Sequence, residues 1–475
     1  MNSFLLFLTS LILVMGYGYI AIGLKQEVIG VNQSIQLYII IVLSLINICL
    51  VIIKCVKKYQ DIFNPLLLFV TSVLIRAILP TLLLLVFPPP EYLAWMNISN
   101  NQWLLGGVLA ILAIMSFILG WLITPKYSIQ SASKLANWLA KYFSNDRTHI
   151  ASAVITTLLG ILLMLLFYAT TGSSGLAEII QSGSLRATNE RESGTYRFAY
   201  LAIGILYCSG TFLCAALLKD KSRPAWRGFR PCLIATLLLL PTGGRIVSLN
   251  PLIFGLTAFW YIRLINRRLN FKKLIILLLS LILFLNYSFF LINYRTGLGI
   301  SYALSQFDWS NFISYFESFF WADVATLPVY ALSATHIPGA MEGSTYPLIL
   351  GTLLKFFFQL SGEVPGVFLI QDFFPLGNRV WGPHTGIFVD LYLNTGIIFA
   401  IMGCAILGLT LRVIYEGFSN FFNTPIIVTI YALVAWSFYW IFFESIMSST
   451  DNIYRIIIVF LMQYSIFILL PKYKQ

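Results

Sequence analysis

The sequence predicts an all-helical, polytopic membrane protein with about twelve transmembrane helices. Of its 475 residues, 59% are hydrophobic and only 10% are charged, whereas a soluble domain carries about 25% charged residues. The mean hydropathy of +0.85 is too high for the apolar side chains to be buried in an aqueous fold. Because lipid offers no hydrogen-bond partners, each spanning segment must satisfy its own backbone groups. We therefore expect a single transmembrane domain over residues 1–475 rather than several soluble domains.

Apolar segments of spanning length recur along the whole chain. The first, over residues 3–24, has no basic region before it and no small-residue cleavage site, so we take it as a retained span. A shorter run, Pro231 to Leu240, predicts a span that is short or broken at its outer end. The remaining predicted spans cover residues 35–53, 62–87, 104–123, 150–170, 198–218, 246–262, 274–294, 386–409, 424–443 and 454–471.

The connections between these segments set the orientation. Twenty of the 30 basic residues lie on alternate connections, after residues 53, 123, 218, 262, 409 and 471. Because positively charged connections stay in the cytoplasm, both termini are predicted to be cytoplasmic. The net charge of +12 then reflects topology and does not indicate a nucleic acid partner. The opposite face carries a first outer loop over residues 171–196 and a large outer loop over residues 295–385.

The large outer loop is too apolar to be a soluble domain. Its aromatic-rich runs Phe312–Phe320 and Leu348–Leu360 are too short to span the membrane. They predict short amphipathic helices that lie on the membrane face or dip into it.

Arginine dominates the basic residues predicted for the outer side. Eight of the ten are arginine, whereas the cytoplasmic twenty include twelve lysines. Lysine would fix the membrane orientation equally well, so the preference for arginine indicates planar, bidentate recognition of phosphate or carboxylate. One of the eight, Arg76, lies in the middle of the third predicted span and needs a buried partner or a water-filled cavity.

A Gly-Gly-Arg turn follows the short span. Gly243 and Gly244 permit a tight turn with exposed backbone N–H groups, and Arg245 is presented at the outer face, where it could bind an anion. Arg295 ends the ninth predicted span at the same depth. The alternative is that both arginines anchor helix ends at the membrane surface. The first outer loop adds a charge-dense patch with Arg186, Glu190 and Arg191, which could equally be a solvated surface.

The richest polar stretch leads into the tenth predicted span. It contains Arg379, Trp381, His384, Asp390 and Tyr392. Trp and Tyr at this level can stack on sugars or can belong to the aromatic belt of a membrane protein, and His384 can be structural. The sequence has no Asp-x-Asp pair, no His/Glu cluster and no Cys-x-x-Cys pair, so we expect no metal, no cofactor and no disulfide framework.

These motifs together resemble the Wzy oligosaccharide-repeat-unit polymerases of O-antigen, enterobacterial common antigen and capsule synthesis. The resemblance covers about residues 171–455. It depends on Gly-Gly-Arg245, on Tyr-Arg295, and on a large outer loop that ends in Pro-His384-Thr-Gly before a span with Tyr392 and Gly396.

The resemblance implies a metal-independent glycosyltransferase with a GT-C-like fold in the bacterial plasma (inner) membrane. Such an enzyme joins undecaprenyl-diphosphate-linked oligosaccharides into surface polysaccharide at the outer face, in contact with membrane lipid and with a chain-length-regulating co-polymerase. His384 would then be the general base, with Asp390 as its substitute. The implied diphosphate ligands are Arg245 and Arg295, followed by Arg379 and Arg186. The implied sugar-binding residues are Gly243, Gly244, Trp381, Tyr392, Glu190 and Arg191.

Three other functions share parts of this pattern. A ligase that moves finished polysaccharide from the same carrier would share nearly every feature. A lipid-linked oligosaccharide flippase would have short outer loops, which the ninety-residue loop over 295–385 disfavours. A membrane acyltransferase would need its His and Arg near the cytoplasmic face, where the charge distribution does not supply them.

Overall fold

The fold is known from a computed structural model, in which all regular structure of the described residues is helical. The structure describes residues 61, 63–73, 75–76, 80, 98, 100–143, 147–182, 196–222, 224–242, 245–264, 327–346, 368–369, 385–443, 457, 461–462, 465–466 and 468–469.

The helices within these residues are labelled here in chain order. They are α1 (Pro65–Val73), α2 (Asn100–Ile123), α3 (Lys126–Tyr142), α4 (Arg147–Ser182), α5 (Tyr196–Lys219), α6 (Ala225–Gly228), α7 (Arg230–Leu239), α8 (Arg245–Phe259), α9 (Leu327–Ser333), α10 (Gly386–Thr395), α11 (Ile397–Phe418) and α12 (Pro425–Phe443).

Five stretches in the described part of the chain are long and apolar enough to cross a membrane. They are Leu105–Ile123, Arg147–Gly172, Phe198–Lys219, Val247–Leu264 and Ile397–Phe421. Helix α7 and the stretch Pro425–Tyr439 are apolar but shorter. The chain is therefore a polytopic, helical membrane protein, while the full number of twelve spans and the GT-C-like arrangement stay predictions.

The chain folds into two compact units, each assembled from several separate stretches. The first contains Met1–Ala132, Phe319–Gly417 and Ala435–Asp451, and the second contains Ser133–Ser318, Phe418–Val434 and Asn452–Gln475. The prediction of a single transmembrane domain stays a prediction.

Close backbone contact between α2 and α11 holds the first unit together. A Cβ atom at Gly120 would overlap the Ala405 carbonyl group, and one at Gly408 would overlap the Phe117 carbonyl oxygen. Small residues that let backbones approach are the usual packing device between helices in lipid, where dispersion contacts replace the hydrophobic effect. Beside this contact, the Arg412 guanidinium donates to the Trp121 carbonyl oxygen at 2.5 Å, which satisfies the end of α2.

The second unit is built around α4, α5, α7 and α8. Helix α7 ends in a 3-10 turn, Leu240–Thr242, and α8 begins at Arg245, so the apolar run is a short helix that ends where the sequence predicts, while its role as a span and its outer position stay predictions. In α8, Pro251 cannot donate to the Val247 carbonyl four residues earlier. The Tyr207 hydroxyl of α5 donates to that carbonyl instead, at 2.8 Å, so the proline costs no unsatisfied backbone group.

Two predicted boundaries differ from the structure. The predicted continuous span over residues 386–409 is wrong, because the helix breaks at Gly396, whose φ of 94° lies in the left-handed region that favours glycine. The candidate span begins only at Ile397. Helix α4 continues past a kink at Gly172 to Ser182, into the predicted first outer loop. The expected helices at Phe312–Phe320 and Leu348–Leu360 lie outside the described residues.

Candidate functional site

Helix α10 is a short, buried helix whose end is capped by a turn segment at Gly339–Met341, within the predicted large outer loop. Seven of its ten residues are buried. The backbone N–H of Gly339 donates to the Tyr392 carbonyl at 2.8 Å, and that of Met341 donates to the Leu393 carbonyl at 2.9 Å. These two carbonyls lie in the last turn, where helical donors run out, and the Tyr392 carbonyl also accepts the Gly396 N–H at 3.1 Å. The loop therefore satisfies the polar end that the break at Gly396 creates.

Side chains reinforce the same junction. The Asn394 amide donates to the Asp390 carbonyl at 2.8 Å and accepts the backbone N–H of Thr345 at 3.2 Å. The Tyr392 hydroxyl points toward the His336 carbonyl at 3.4 Å. Burial raises the pKa of Tyr392 to about 12, so its phenol is neutral at physiological pH and acts as a hydrogen-bond donor. The predicted sugar ligand Tyr392 thus belongs, in this structure, to the contact between α10 and the loop.

Asp390 is the central acidic group of this region. It is only 2% exposed, and one carboxylate oxygen accepts a hydrogen bond from the hydroxyl of Thr385, the residue directly before α10. A buried carboxylate is costly unless it is hydrogen-bonded or paired. Its position at the end of the predicted large outer loop makes this buried carboxylate a candidate functional group.

Tyr330 of α9 packs on the same helix. Its ring lies 6.0 Å from that of Phe388 and nearly parallel to it, and α9 approaches α2 so closely that a Cβ at Gly106 would lie 2.6 Å from the Ala331 nitrogen. Burial raises the pKa of Tyr330 well above its usual value, and the charge of Asp390 acts in the same direction. Tyr330 is therefore a second neutral phenol, on a helix that packs against α10.

Arg76 brings a positive charge to this group. It is partly buried, and its charge lowers the pKa of Tyr330, in opposition to burial and to Asp390. The sequence predicts a partner or a polar cavity for this mid-span arginine, and the effect of its charge on the pKa of Tyr330 is the observation that relates it to this group. We call Arg76, Tyr330, Thr385 and Asp390 the α10 cluster. It combines a carboxylate, an arginine and neutral hydroxyl donors, the groups needed to hold a hydroxyl-bearing or anionic substrate.

Arg245 occupies the first position of α8, in the second unit. The four first N–H groups of a helix lack intrahelical partners, and the helix dipole favours an anion there. Two tyrosines stabilise this junction. Tyr168 donates to the Leu238 carbonyl at the end of α7, and Tyr207 supports the first turn of α8 through Val247.

Sequence reasoning found part of this arrangement. Asp390 and Tyr392 both lie on α10, and Arg245 begins α8, while their roles as ligands stay predictions. Tyr330 and Thr385 were missed. The role of Tyr330 depends on contacts between segments that are distant in the sequence, and the role of Thr385 depends on its hydrogen bond to Asp390. The one available signal was Arg76, whose depth in the membrane required a partner. The predicted site residues outside the described part are His384, Arg295, Arg379, Arg186, Gly243, Gly244, Trp381, Glu190 and Arg191.

The family model described as O-antigen polysaccharide polymerase Wzy matches residues 1–374, more than three quarters of the chain. The chain belongs to the Wzy family. It is therefore a membrane-integral polymerase of the glycosyltransferase type, as the resemblance implied. No curated protein and no solved structure matches it.

The match to the Wzy family extends beyond the segment that carried the resemblance. It begins at residue 1 and so includes the first predicted spans, with Arg76 among them, as well as Arg245. It ends before α10. The family assignment is thus independent of Asp390 and Tyr392, whose function is inferred from their surroundings alone.

Proposed function

We propose that this Wzy protein joins undecaprenyl-diphosphate-linked oligosaccharide repeat units into surface polysaccharide at the outer face of the bacterial plasma membrane. Family membership supports polymerisation of repeat units. The distribution of basic residues supports the outer face, since Arg245 and the large outer loop lie on the side opposite the lysine-rich connections. Both termini would then lie in the cytoplasm.

In the proposed reaction, a hydroxyl oxygen of the incoming repeat unit attacks the anomeric carbon of the growing chain. The bond between that carbon and the diphosphate oxygen breaks, and the lipid diphosphate leaves with the electron pair. The enzyme has two tasks. It must stabilise the negative charge of the leaving group, and it must accept the proton of the attacking hydroxyl.

Arg245 is the proposed ligand for the leaving diphosphate. Its position at the start of α8 combines a guanidinium, which can bind two phosphate oxygens at once, with the free N–H groups of a helix N-terminus. Arg295, Arg379 and Arg186 are the further candidates for the same anion. Gly243 and Gly244 would let the diphosphate approach the backbone.

The α10 cluster is the proposed binding site of the acceptor sugar. The main support for this assignment is the burial of Asp390. An aspartate that is 2% exposed and oriented by Thr385 is held in one place. It can accept a hydrogen bond from a sugar hydroxyl while the neutral phenol of Tyr330 donates one. His384, six residues before Asp390, stays our proposed general base, with Asp390 as its partner or its substitute. Trp381, Tyr392, Glu190 and Arg191 remain proposed sugar ligands.

The decisive experiment is incubation of the purified protein with a synthetic lipid-diphosphate repeat unit. A ladder of products on a gel supports a polymerase, and a single transfer to a different acceptor would identify a ligase instead. Transfer of the intact lipid-linked unit across a vesicle membrane, without any product, would identify a flippase. Addition of a chelator tests metal independence, which requires that the ladder persist.

A further inference from the structure

Helix α3 carries an exposed aromatic stripe along one side. Tyr127, Leu135, Trp138 and Tyr142 are all exposed, Trp138 by 56%, and their spacing of three, four and eight residues places them on one face. The rings of Trp138 and Tyr142 stack at 5.5 Å. The opposite face packs inward at Ala136, the only buried residue of the helix.

Lysines flank this stripe on one side only. Lys134 and Lys141 are exposed and seven residues apart, each directly before a residue of the stripe. Helix α3 contains three lysines and no acidic residue, so no carboxylate of the helix itself neutralises them. Beyond these two lysines, the exposed surface of the helix is polar, with Gln130, Asn137 and the first residue, Lys126. An aromatic face bordered by lysines is typical of a helix that lies in a membrane interface.

The chain holds α3 close to a membrane at both ends. Only Thr124 and Pro125 separate it from the candidate span Leu105–Ile123, and a candidate span starts again at Arg147. The connection belongs to the lysine-rich set that predicts the cytoplasmic side. Because both flanking stretches are candidate membrane spans, we place the exposed stripe close to the lipid headgroups.

We propose that α3 is an interfacial helix that binds the anionic headgroups of the adjacent leaflet, with the aromatic stripe inserted among the lipids and Lys134 and Lys141 paired with lipid phosphates. This surface is separate from the polymerisation chemistry. The partner is the anionic lipid surface itself.

A label on the stripe tests the placement in the full-length protein. Ser131 is small, exposed and on the same face as Trp138. In a background without Cys49 and Cys55, Ser131→Cys would carry a polarity-sensitive fluorophore, and Asn137→Cys would carry the same fluorophore on the polar face as the matched control. Nanodiscs contain phosphatidylcholine with brominated acyl chains, with or without phosphatidylglycerol. We expect strong quenching at position 131 and little at position 137, with quenching at 131 increasing with the phosphatidylglycerol fraction.

Lysine variants test the charge. A lysine near an anionic surface strengthens binding about fivefold, so Lys134→Gln with Lys141→Gln should weaken the binding of α3 to the phosphatidylglycerol surface on the order of 30-fold, measured as a loss of the phosphatidylglycerol-dependent part of the quenching. Lys134→Arg with Lys141→Arg keeps the charge and should retain the response. The exposed pair Lys219 and Lys221, on the next cytoplasmic connection, is the charge-matched control, and its change to Gln should leave quenching at 131 unaltered.

Three results would overturn the proposal. They are equal quenching at positions 131 and 137, quenching at position 131 that does not change with the phosphatidylglycerol fraction, and a loss of quenching on changing Lys219 and Lys221 that equals the loss on changing Lys134 and Lys141. The readout does not require polymer synthesis. Failure of this proposal therefore leaves the proposed polymerase function untouched, and the reverse also holds.

Discussion

Replacement of Asp390 by Asn is the most direct test of the α10 cluster. Asparagine has the same shape, and its amide oxygen can still accept the Thr385 hydroxyl, so the helix and its capping contacts should survive. What disappears is the negative charge beside Tyr330 and the ability to accept a proton. A positioned general base contributes about 100- to 10,000-fold in rate, equivalent to about 3–5.5 kcal/mol in the activation barrier. We expect Asp390→Asn to lose activity within this range.

The rate should be measured per folded molecule. Purified protein that elutes as a single species on size exclusion is incubated with the lipid-diphosphate repeat unit, and the initial consumption of the unit is followed. Asp61→Asn is the matched control. Asp61 is also buried, at 3% exposure, and its carboxylate accepts the Tyr415 hydroxyl at 2.9 Å, also within the first unit. The change Asp61→Asn should therefore lower the free energy of unfolding, while the turnover rate of the molecules that remain folded stays the same.

Two results would refute this argument. Wild-type turnover by Asp390→Asn would make the buried carboxylate a structural feature of α10. An equal loss of turnover in Asp61→Asn would show that any buried aspartate of the unit supports activity through folding, so that Asp390 has no special part in the chemistry.

Three further predictions concern the diphosphate site and the helix packing. Arg245→Lys should lower polymer synthesis about 100- to 1000-fold at normal membrane abundance, because lysine keeps the charge but loses the two-pronged geometry. Gly408→Ala should destabilise the protein by about 1–3 kcal/mol, seen as a lower melting temperature in detergent, because its methyl group would overlap the Phe117 carbonyl. Tyr207→Phe should cost about 1 kcal/mol in unfolding free energy, because the Val247 carbonyl loses its donor.

Each of these has an internal control. Gly210→Ala lies in another candidate span, where the added methyl group would meet the Pro231 carbonyl at an ordinary 3.8 Å, so it should not lower the melting temperature. Pro251→Ala restores the missing backbone donor, and in that background the cost of Tyr207→Phe should shrink. A wild-type rate in Arg245→Lys would make Arg245 a membrane anchor, and a full cost of Tyr207→Phe beside Pro251→Ala would contradict the assignment of that hydrogen bond.

Hydrophobicity alone located four of the candidate spans within about three residues at each end. The predicted spans 104–123, 150–170, 198–218 and 246–262 correspond to Leu105–Ile123, Arg147–Gly172, Phe198–Lys219 and Val247–Leu264. This agreement has a simple cause, since a helix that faces lipid must be apolar along its whole length whatever it packs against. A broken helix is different, because a glycine such as Gly396 interrupts the backbone without changing the hydropathy of the segment.

The candidate site was less accessible to sequence reasoning. Asp390 was noticed because a carboxylate is conspicuous in an apolar segment. Tyr330, in the apolar helix Leu327–Ser333, gives no such signal, since tyrosine is common throughout this chain. Its importance arises from the fold, which brings α9 against α10. Contacts between residues some 60 to 300 positions apart leave no local pattern in a single sequence.

The break at Gly396 also explains how one apolar segment serves two purposes. Helix α11 exposes Ile398, Phe399 and Met402, as expected of a helix in contact with lipid. Helix α10, directly before it, is mostly buried and ends in carbonyl groups that the loop at Gly339 satisfies. Interrupted helices at membrane depth are tolerated where protein covers them or where they line a polar cavity. A continuous helix would fix the direction of Asp390 by the packing of the span. With the break, Thr385 orients the Asp390 carboxylate, and α10 can be positioned by the loop at Gly339 independently of the span, as the proposed role in acceptor binding requires.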